Sequence, residues 1–423
     1  MESTAIAKED NEISSILEDI EITPFFQPII CIKTGKVFAY ESLVRGRAKA
    51  TGALVSPAEL FALTDSLALT REFDQLCQQL SLEFFKKYKS NSLLFMNIHT
   101  NCIMEETTDS LLLPNLTEQM GFNPNVIGLE FIESKAHSAQ ELIGFVRQQR
   151  ESGFLIVVDD FGSEHSNIER LILIHPDIIK IDRNIIHGID KDTYRQSILK
   201  SIVSLSEMTG SVCLAEGVET REEVLTCALL GVNLLQGFAI ARPAADLLAL
   251  EKEALEKVAD FQSELRQHSV SYLRETRYHT SDVNTIADWL IRQIDLENDN
   301  MDSIEAVLQE FIIVNSKIEV IFILDEKGIQ VSNMICAPHI ANKPYSYIFH
   351  PQERGGNHCL RPYFACFEAF KIDRFLTDKH LSSGSGNLCR TLAVRLLGKD
   401  KSYILCIDFL EEEIKTPLKS IEE

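Results

Sequence analysis

Two adjacent carboxylates, Asp159 and Asp160, end the apolar run of LIVVDDFG, and a glycine follows at 162. Other polar residues lie in or at the end of similar runs: Glu41 in VFAYESLV, Asn97 in LLFMNI, Glu130 in VIGLEFI, Glu216 in VCLAEG and Gln236 in LLQGFAI. Lys180 stands inside IIKID, where an unpaired ammonium would be costly. Gathered at one place, the five carboxylates would repel, since two unit charges 4 Å apart cost about 4 kcal/mol at an effective dielectric of 20. A cation must then sit among them. Every donor is an oxygen and no histidine joins the set, which favours magnesium or manganese (Mg2+ or Mn2+) over zinc. So many carboxylates accommodate two ions per site, the arrangement suited to in-line displacement at phosphorus.

These residues need a scaffold that brings distant positions together. Short runs rich in Val, Ile, Leu and Phe alternate with helical patterns up to about residue 240, which predicts parallel strands covered by helices. From Asn97 through Glu130, Asp159, Lys180 and Glu216 to Gln236 the intervals are 33, 29, 21, 36 and 20 residues, each enough for one βα unit. A (β/α)8 TIM-like barrel gathers its C-terminal strand ends on one face, and its usual length of about 250 residues matches the segment. An open doubly wound sheet would bring fewer strand ends together, and no GxGxxG follows the first strand. Neighbours on a strand face opposite ways, so Asp159 and Asp160 reach one site together only at the strand's very end. The plainer alternative is that the pair caps the next helix.

The flanking segments read as follows. Ile13, Ile16, Leu17 and Ile20 have helical spacing, giving an N-terminal helix over residues 1–22. FFQPIICI and VFAYESLV, joined by KTGK, form a hairpin that opens a barrel over residues 23–250. Residues 251–302 form a helical connector, whose helical pattern begins at about residue 245 and sets Leu247, Leu250, Ala254, Val258 and Phe261 on one packed face. Residues 303–415 form a smaller α+β domain with two hairpins, KIEVIFILDEKGIQVSN and TLAVRLLGKDKSYILCIDF.

Composition narrows the class. A 423-residue chain with 45% hydrophobic residues holds more than one packed domain. Its net charge of −22 argues against DNA or RNA as the partner, because phosphate backbones require clustered Lys and Arg. There is no secretory signal pattern and no run long enough for a membrane span. The ten cysteines are scattered without CxxC pairs, as expected of reduced, mostly buried thiols in the cytoplasm.

ESLVR (41–45), LEFIES (129–134), VVDDFG (157–162), IKIDR (179–183), AEGVET (215–220) and LLQGF (234–238) closely resemble the ordered motifs of EAL-domain cyclic di-GMP phosphodiesterases, from about Phe25 to Pro243. The signature Glu-Ala-Leu stands here as Glu41-Ser42-Leu43. The resemblance implies a barrel of the EAL type, whose first strand is antiparallel, and hydrolysis of cyclic di-GMP to linear pGpG. By resemblance, Glu41, Asn97, Glu130 and Asp159 hold one metal, and Asp159, Asp160 and Glu216 serve a second metal or its water. Glu216 is the general base, Lys180 lies near the attacking water, and Gln236 hydrogen-bonds beside it. Arg45 and Asp182 contact the dinucleotide, Gln27 and Pro243 line it, Glu133 anchors the loop after Asp160, and Glu219 supports the site from behind.

The loop after DDFG departs from the family. Glu164 and His165 stand in SEHSN where a glycine and a tyrosine are usual. Glycine permits positive φ and close backbone approach, and a glutamate adds negative charge beside a phosphate site. This departure motivates an alternative, a catalytically weak or inactive cyclic di-GMP receptor. The tail resembles PAS or Cache-like sensor domains through RPYF and YILCIDF, with Arg361 and Tyr363 as contacts for an unknown small ligand. Such domains often dimerise, which implies a homodimer. No GGDEF-like cyclase signature is present.

Overall fold

The computed structural model describes residues 19–66, 69–88, 90–99, 112–132, 139–163, 168–296, 300–341, 350–370, 372–398 and 401–410. The chain divides into two compact units, Met1–Ser269 with Thr416–Glu423, and Val270–Lys415. The expected N-terminal helix falls almost wholly outside the described residues, as do Glu133, Glu164 and His165.

The first unit is a closed barrel. β1 (Ile20–Cys31) and β2 (Lys36–Ala48) form the expected hairpin, and the two-residue β3 (Leu54–Val55) pairs with the end of β2. β4 (Leu93–Asn97), β5 (Ile127–Ile132), β6 (Leu155–Phe161), β7 (Ile178–Ile181), β8 (Val212–Ala215) and β9 (Leu234–Leu235) follow. β2 and β4 to β9 run parallel in chain order, and β1 lies antiparallel between β9 and β2, closing an eight-stranded ring. Helices cover its outer face, among them the first half of Leu247–Ile291, whose Leu247, Leu250, Ala254, Val258 and Phe261 are buried in the barrel core.

Strand alternation explains how the interior is divided. Ile29, Ala39, Phe95, Val157, Ile178, Leu214 and Leu234 form one buried apolar layer inside the ring. Gly128 completes it on β5, with space only for hydrogen because a Cβ there would meet the Phe95 ring at 2.6 Å. Two residues further along each parallel strand lie Glu41, Asn97, Glu130, Asp159, Lys180, Glu216 and Gln236. On antiparallel β1 the corresponding residue comes two earlier, Gln27. Side chains at i and i+2 share a face, so a polar layer of eight stands directly on an apolar layer of eight.

The second unit is built on β10 (Ile318–Asp325), β11 (Ile335–Cys336), β12 (Arg374–Leu376), β13 (His380–Leu381), β14 (Leu388–Leu397) and β15 (Ser402–Leu410). The sheet order is β11-β10-β15-β14-β12, with β13 on β14. Ile321 and Ile323 pack with Leu308 and Ile312 of helix Met301–Val314, whereas Val320 and Phe322 pack with Tyr363, Phe364 and Phe367 of helix Pro362–Phe370. The β14–β15 hairpin forms as expected. The first hairpin is reduced to a single bridge, Leu324 to Gln330, because the chain turns away where the Gln330 amide donates to Ser332 O and Gln352 O. β10 pairs with β15 and β11 instead.

Tyr363 is buried, and its hydroxyl lies 2.6 Å from His358 Nδ1; Arg361 is exposed at the head of the same helix. His358 Nε2 meets Gln330 Oε1 at 3.0 Å, and because that oxygen only accepts, Nε2 of the imidazole is the donor there. Burial, with Arg361 nearby, pushes its pKa down to about 4. The unfolded chain takes up that proton at about pH 6.5 and the folded chain does not until about 4, so stability falls on acidification through this window. We expect the second unit to lose about 1–3 kcal/mol between pH 6.5 and 4, and His358→Gln to flatten that slope in urea titrations.

Candidate active site

Lys180 occupies the centre of the polar layer. Its Nζ lies 2.6 Å from Glu216 Oε1, 3.0 Å from Glu130 Oε1, 3.2 Å from Asp159 Oδ1 and 3.4 Å from Glu41 Oε2. The ammonium and the Glu130 carboxylate are fully buried. Glu41 is held from three sides, accepting from Asn97 Nδ2 at 3.1 Å, from Gln236 Nε2 at 2.6 Å and from Lys180. Gln236 also donates to Gln27 Oε1 at 3.3 Å, and Gln27 Nε2 donates to Ala241 O.

One cation facing four carboxylates leaves an excess of negative charge. Burial and the neighbouring acids push Glu130 and Glu216 well above the usual carboxylate range, although Lys180 opposes the shift. Glu41 moves the other way, because Lys180 and the hydrogen bonds outweigh the effect of its burial. The four carboxylates hold Lys180 charged despite its burial.

Asp160 reaches the same side as Asp159 through a local break in the strand. Pairing of β6 with β7 slips between Val158 and Phe161, and Asp160 adopts φ +56°. Aspartate tolerates this left-handed conformation better than most residues. The Asp160 amide donates to Asp159 Oδ1 at 2.9 Å. Burial, then Asp159 and Asp182, raise the Asp160 pKa to about 6. Oxygens of Asp159, Asp160 and Glu216 lie within 4.8 Å of one another. Glu130 Oε1 meets only the Lys180 ammonium, and Glu130 Oε2 and Gln236 Oε1 are buried without a hydrogen-bond partner among the described residues. Clustered hard oxygens, surplus negative charge and unsatisfied buried acceptors together fit divalent cations.

Comparison with known proteins places this geometry in a family. Residues 10–243, more than half of the chain, match the EAL domain. The chain belongs to the EAL-domain family. Over 237 residues the EAL domain is 27% identical to the probable cyclic di-GMP phosphodiesterase PdeA of Escherichia coli, covering 55% of this chain and 32% of that protein. It is also 27% identical over 236 residues to the E. coli cyclic di-GMP phosphodiesterase PdeL, covering 55% of this chain and 65% of that protein. The similarity to YkuI of Bacillus subtilis, an uncharacterized EAL-domain containing protein, extends past the EAL domain: 25% identity over 406 residues, 92% of this chain and 95% of YkuI. The YkuI crystal structure, in complex with substrate c-di-GMP and calcium, superposes with a TM-score of 0.76 at 23% identity, covering 95% of this chain and 98% of YkuI. At that identity the superposition establishes the shared fold.

Around the polar layer of the EAL domain, Arg45 is half-buried beside Phe25, with its guanidinium carbon 6.0 Å from the ring centroid. Asp182 caps helix Arg183–Ile186, accepting from Asn184 N at 2.7 Å, and faces Asp160. Pro243 is half-buried in the loop that meets β1 through the Phe26–Ala244 bridge. Glu219 pairs with Arg183 at 2.9 Å, tying the loop after β8 to the one after β7.

Sequence reasoning missed a neighbouring cavity of about 350 Å³, bordered by Glu41 and Asn97 and lined by Phe61, Asp74, Gln78 and His99. Phe61 and His99 stack with centroids 5.0 Å apart, and Asp74 Oδ2 accepts from Gln78 Nε2 at 2.9 Å. Asp74, Gln78 and Ser81 are buried at i, i+4 and i+7 of helix Thr70–Tyr88, and that polar stripe was the available signal.

Gln236 depends on close backbone contact. A Cβ at Gly237 would lie 2.1 Å from Val218 O. We expect Gly237→Ala to displace this loop, lowering stability by about 1–3 kcal/mol in thermal melts and reducing turnover with it.

Proposed function

We propose that this protein is a metal-dependent phosphodiesterase that hydrolyses cyclic di-GMP to linear pGpG. The observation that carries the proposal is the buried set of Glu130, Asp159, Asp160 and Glu216 around Lys180, with Glu130 Oε1 meeting only that ammonium and Oε2 without a donor among the described residues. Two relatives named as phosphodiesterases of this dinucleotide, one of them as probable, support hydrolysis over a silent receptor.

In this reading Glu41, Asn97, Glu130 and Asp159 would hold one magnesium or manganese ion, and Asp159, Asp160 and Glu216 would serve a second ion or its bound water. Such ions acidify water and neutralise phosphoryl charge. Glu216, whose Oε1 lies 2.6 Å from Lys180 Nζ, takes the proton from the attacking water. Lys180 is fixed by its carboxylate neighbours and stabilises charge developing at phosphorus without reorganising. Gln236 and Gln27 orient the water and the ring edge. Arg45 engages a phosphate, Asp182 and Pro243 line the dinucleotide, and Glu133 and Glu219 steady the flanking loops. The cavity at Phe61 and His99 receives a base on its aromatic rings.

The second unit acts as a PAS/Cache-like sensor of a small ligand near Arg361 and Tyr363. We place the protein in the cytoplasm as a homodimer, a reading supported by the exposed Ile168, Ile172 and Leu173 of helix Ile168–Ile174 and testable by light scattering. The deciding experiment incubates full-length protein with cyclic di-GMP and manganese or magnesium. Formation of pGpG is expected; binding without product across pH and protein concentration overturns the reading.

A further inference from the structure

The second unit carries a polar cluster that phosphodiester chemistry does not use. His380 pairs with Cys389 across β13 and β14, and Thr391 pairs with Asp408 across β14 and β15. Cys389 and Thr391 are two residues apart on β14, so strand register alone puts all four side chains on one face. Cys389 and Thr391 are fully buried, Asp408 nearly so, and His380 is half-buried.

We propose that His380, Cys389 and Asp408 form a binding site for a borderline divalent transition metal, zinc foremost. One donor atom from each lies within 4.8 Å of the others. His380 Nε2 and Cys389 Sγ are 3.7 Å apart. Tetrahedral zinc, with bonds of about 2.3 Å to sulfur and about 2.0 Å to nitrogen, requires roughly 3.5 Å between those atoms.

The surrounding groups prepare the histidine. His380 Nδ1 lies 3.2 Å from Asp378 O and 3.3 Å from Thr377 Oγ1. His380 Nε2 also lies 3.1 Å from Thr391 Oγ1; a metal would replace that contact, with Nδ1 then donating to the Asp378 carbonyl, the usual outer support of a metal-binding imidazole. Ser382 Oγ donates to Asp408 Oδ2 at 2.7 Å, and Thr391 Oγ1 donates to Oδ1 at 2.6 Å, orienting the carboxylate.

Charge points the same way. Asp408 and the neighbouring, fully buried Glu319 form no ion pair with a Lys or Arg among the described residues. The imidazole of His339, 3.9 Å from Glu319 Oε1, and that of His380 are the nearby nitrogen bases. A buried carboxylate without a full counter-charge is costly, and a divalent ion supplies one. Binding displaces the Cys389 thiol proton, so the thiolate and Asp408 together balance the two positive charges. The sulfur–nitrogen–oxygen set selects a softer ion than the all-oxygen barrel site does.

Cobalt(II) added to chelator-treated full-length protein provides the test, because only thiolate ligation gives a sulfur-to-cobalt charge-transfer band in the near ultraviolet. Oxygen-bound cobalt in the barrel does not contribute to it. We expect the band to level off at the intensity of one thiolate–cobalt bond per chain, to vanish in Cys389→Ser and to need at least about tenfold more cobalt in His380→Ala. Zinc should compete it away. Cys336→Ser should leave it unchanged, and melting curves verify that each variant is folded. Absence of the band in the unmodified protein, its survival in Cys389→Ser, or its loss in Cys336→Ser overturns the assignment.

Discussion

Glu130→Gln is expected to abolish most turnover while making the metal-free protein more stable. The glutamate is fully buried, with Oε1 3.0 Å from Lys180 Nζ and Oε2 without a donor among the described residues. Glutamine keeps the volume and removes a charge, so the four carboxylates facing one ammonium become three. Metal coordination is worth several kcal/mol of transition-state stabilisation, which at 1.36 kcal/mol per decade corresponds to a loss of about 10²–10³-fold in kcat. Stability in chelator should rise by about 1 kcal/mol, the usual sign when a functional site is relieved of repulsion. Steady-state assays with manganese and urea unfolding in chelator read the two effects separately. A variant that keeps full activity would remove Glu130 from the metal site.

The second large effect is expected from Lys180→Met, which should lose both turnover and metal-free stability. Lys180 Nζ lies within 3.4 Å of four carboxylate oxygens, and burial makes water a poor substitute for it. Breaking a buried ion pair from one side typically costs 3–5 kcal/mol, because the partner charges stay behind. That loss should appear in chelator and shrink when manganese is added, since divalent ions then neutralise the same carboxylates. Equal unfolding midpoints for the variant and the parent in chelator would show that Lys180 does not compensate the acids.

These two substitutions change charge in opposite directions at neighbouring positions. Their contrast separates a metal-binding acid from the cation that holds the acids together, which neither variant does alone.

Much of the site was legible from local pattern. Glu41, Asn97, Glu130, Asp159, Lys180, Glu216 and Gln236 each interrupt an apolar run, and spacing by βα units placed them at one end of a barrel. Strand periodicity makes that inference sound, because i and i+2 share a face on every strand. Gln27 fits the same rule in reverse, as its strand runs antiparallel.

Other features depend on contacts that no local pattern encodes. The left-handed Asp160 follows from a slip of register between β6 and β7. The single-bridge turn after β10 follows from hydrogen bonds that Gln330 makes to a distant carbonyl. The Asp74–Gln78–Ser81 stripe was visible but acquires meaning only where helix Thr70–Tyr88 meets the cavity beside Glu41 and Asn97.

Chemistry on each strand could therefore be read one element at a time, since side-chain direction is a property of the strand. Which groups end up sharing one ammonium, and which histidine, cysteine and aspartate meet on the second sheet, was decided by strand pairing between segments far apart in the chain. Pairing is settled by closure of the whole sheet and burial of its faces, a cooperative energy that no short stretch contains.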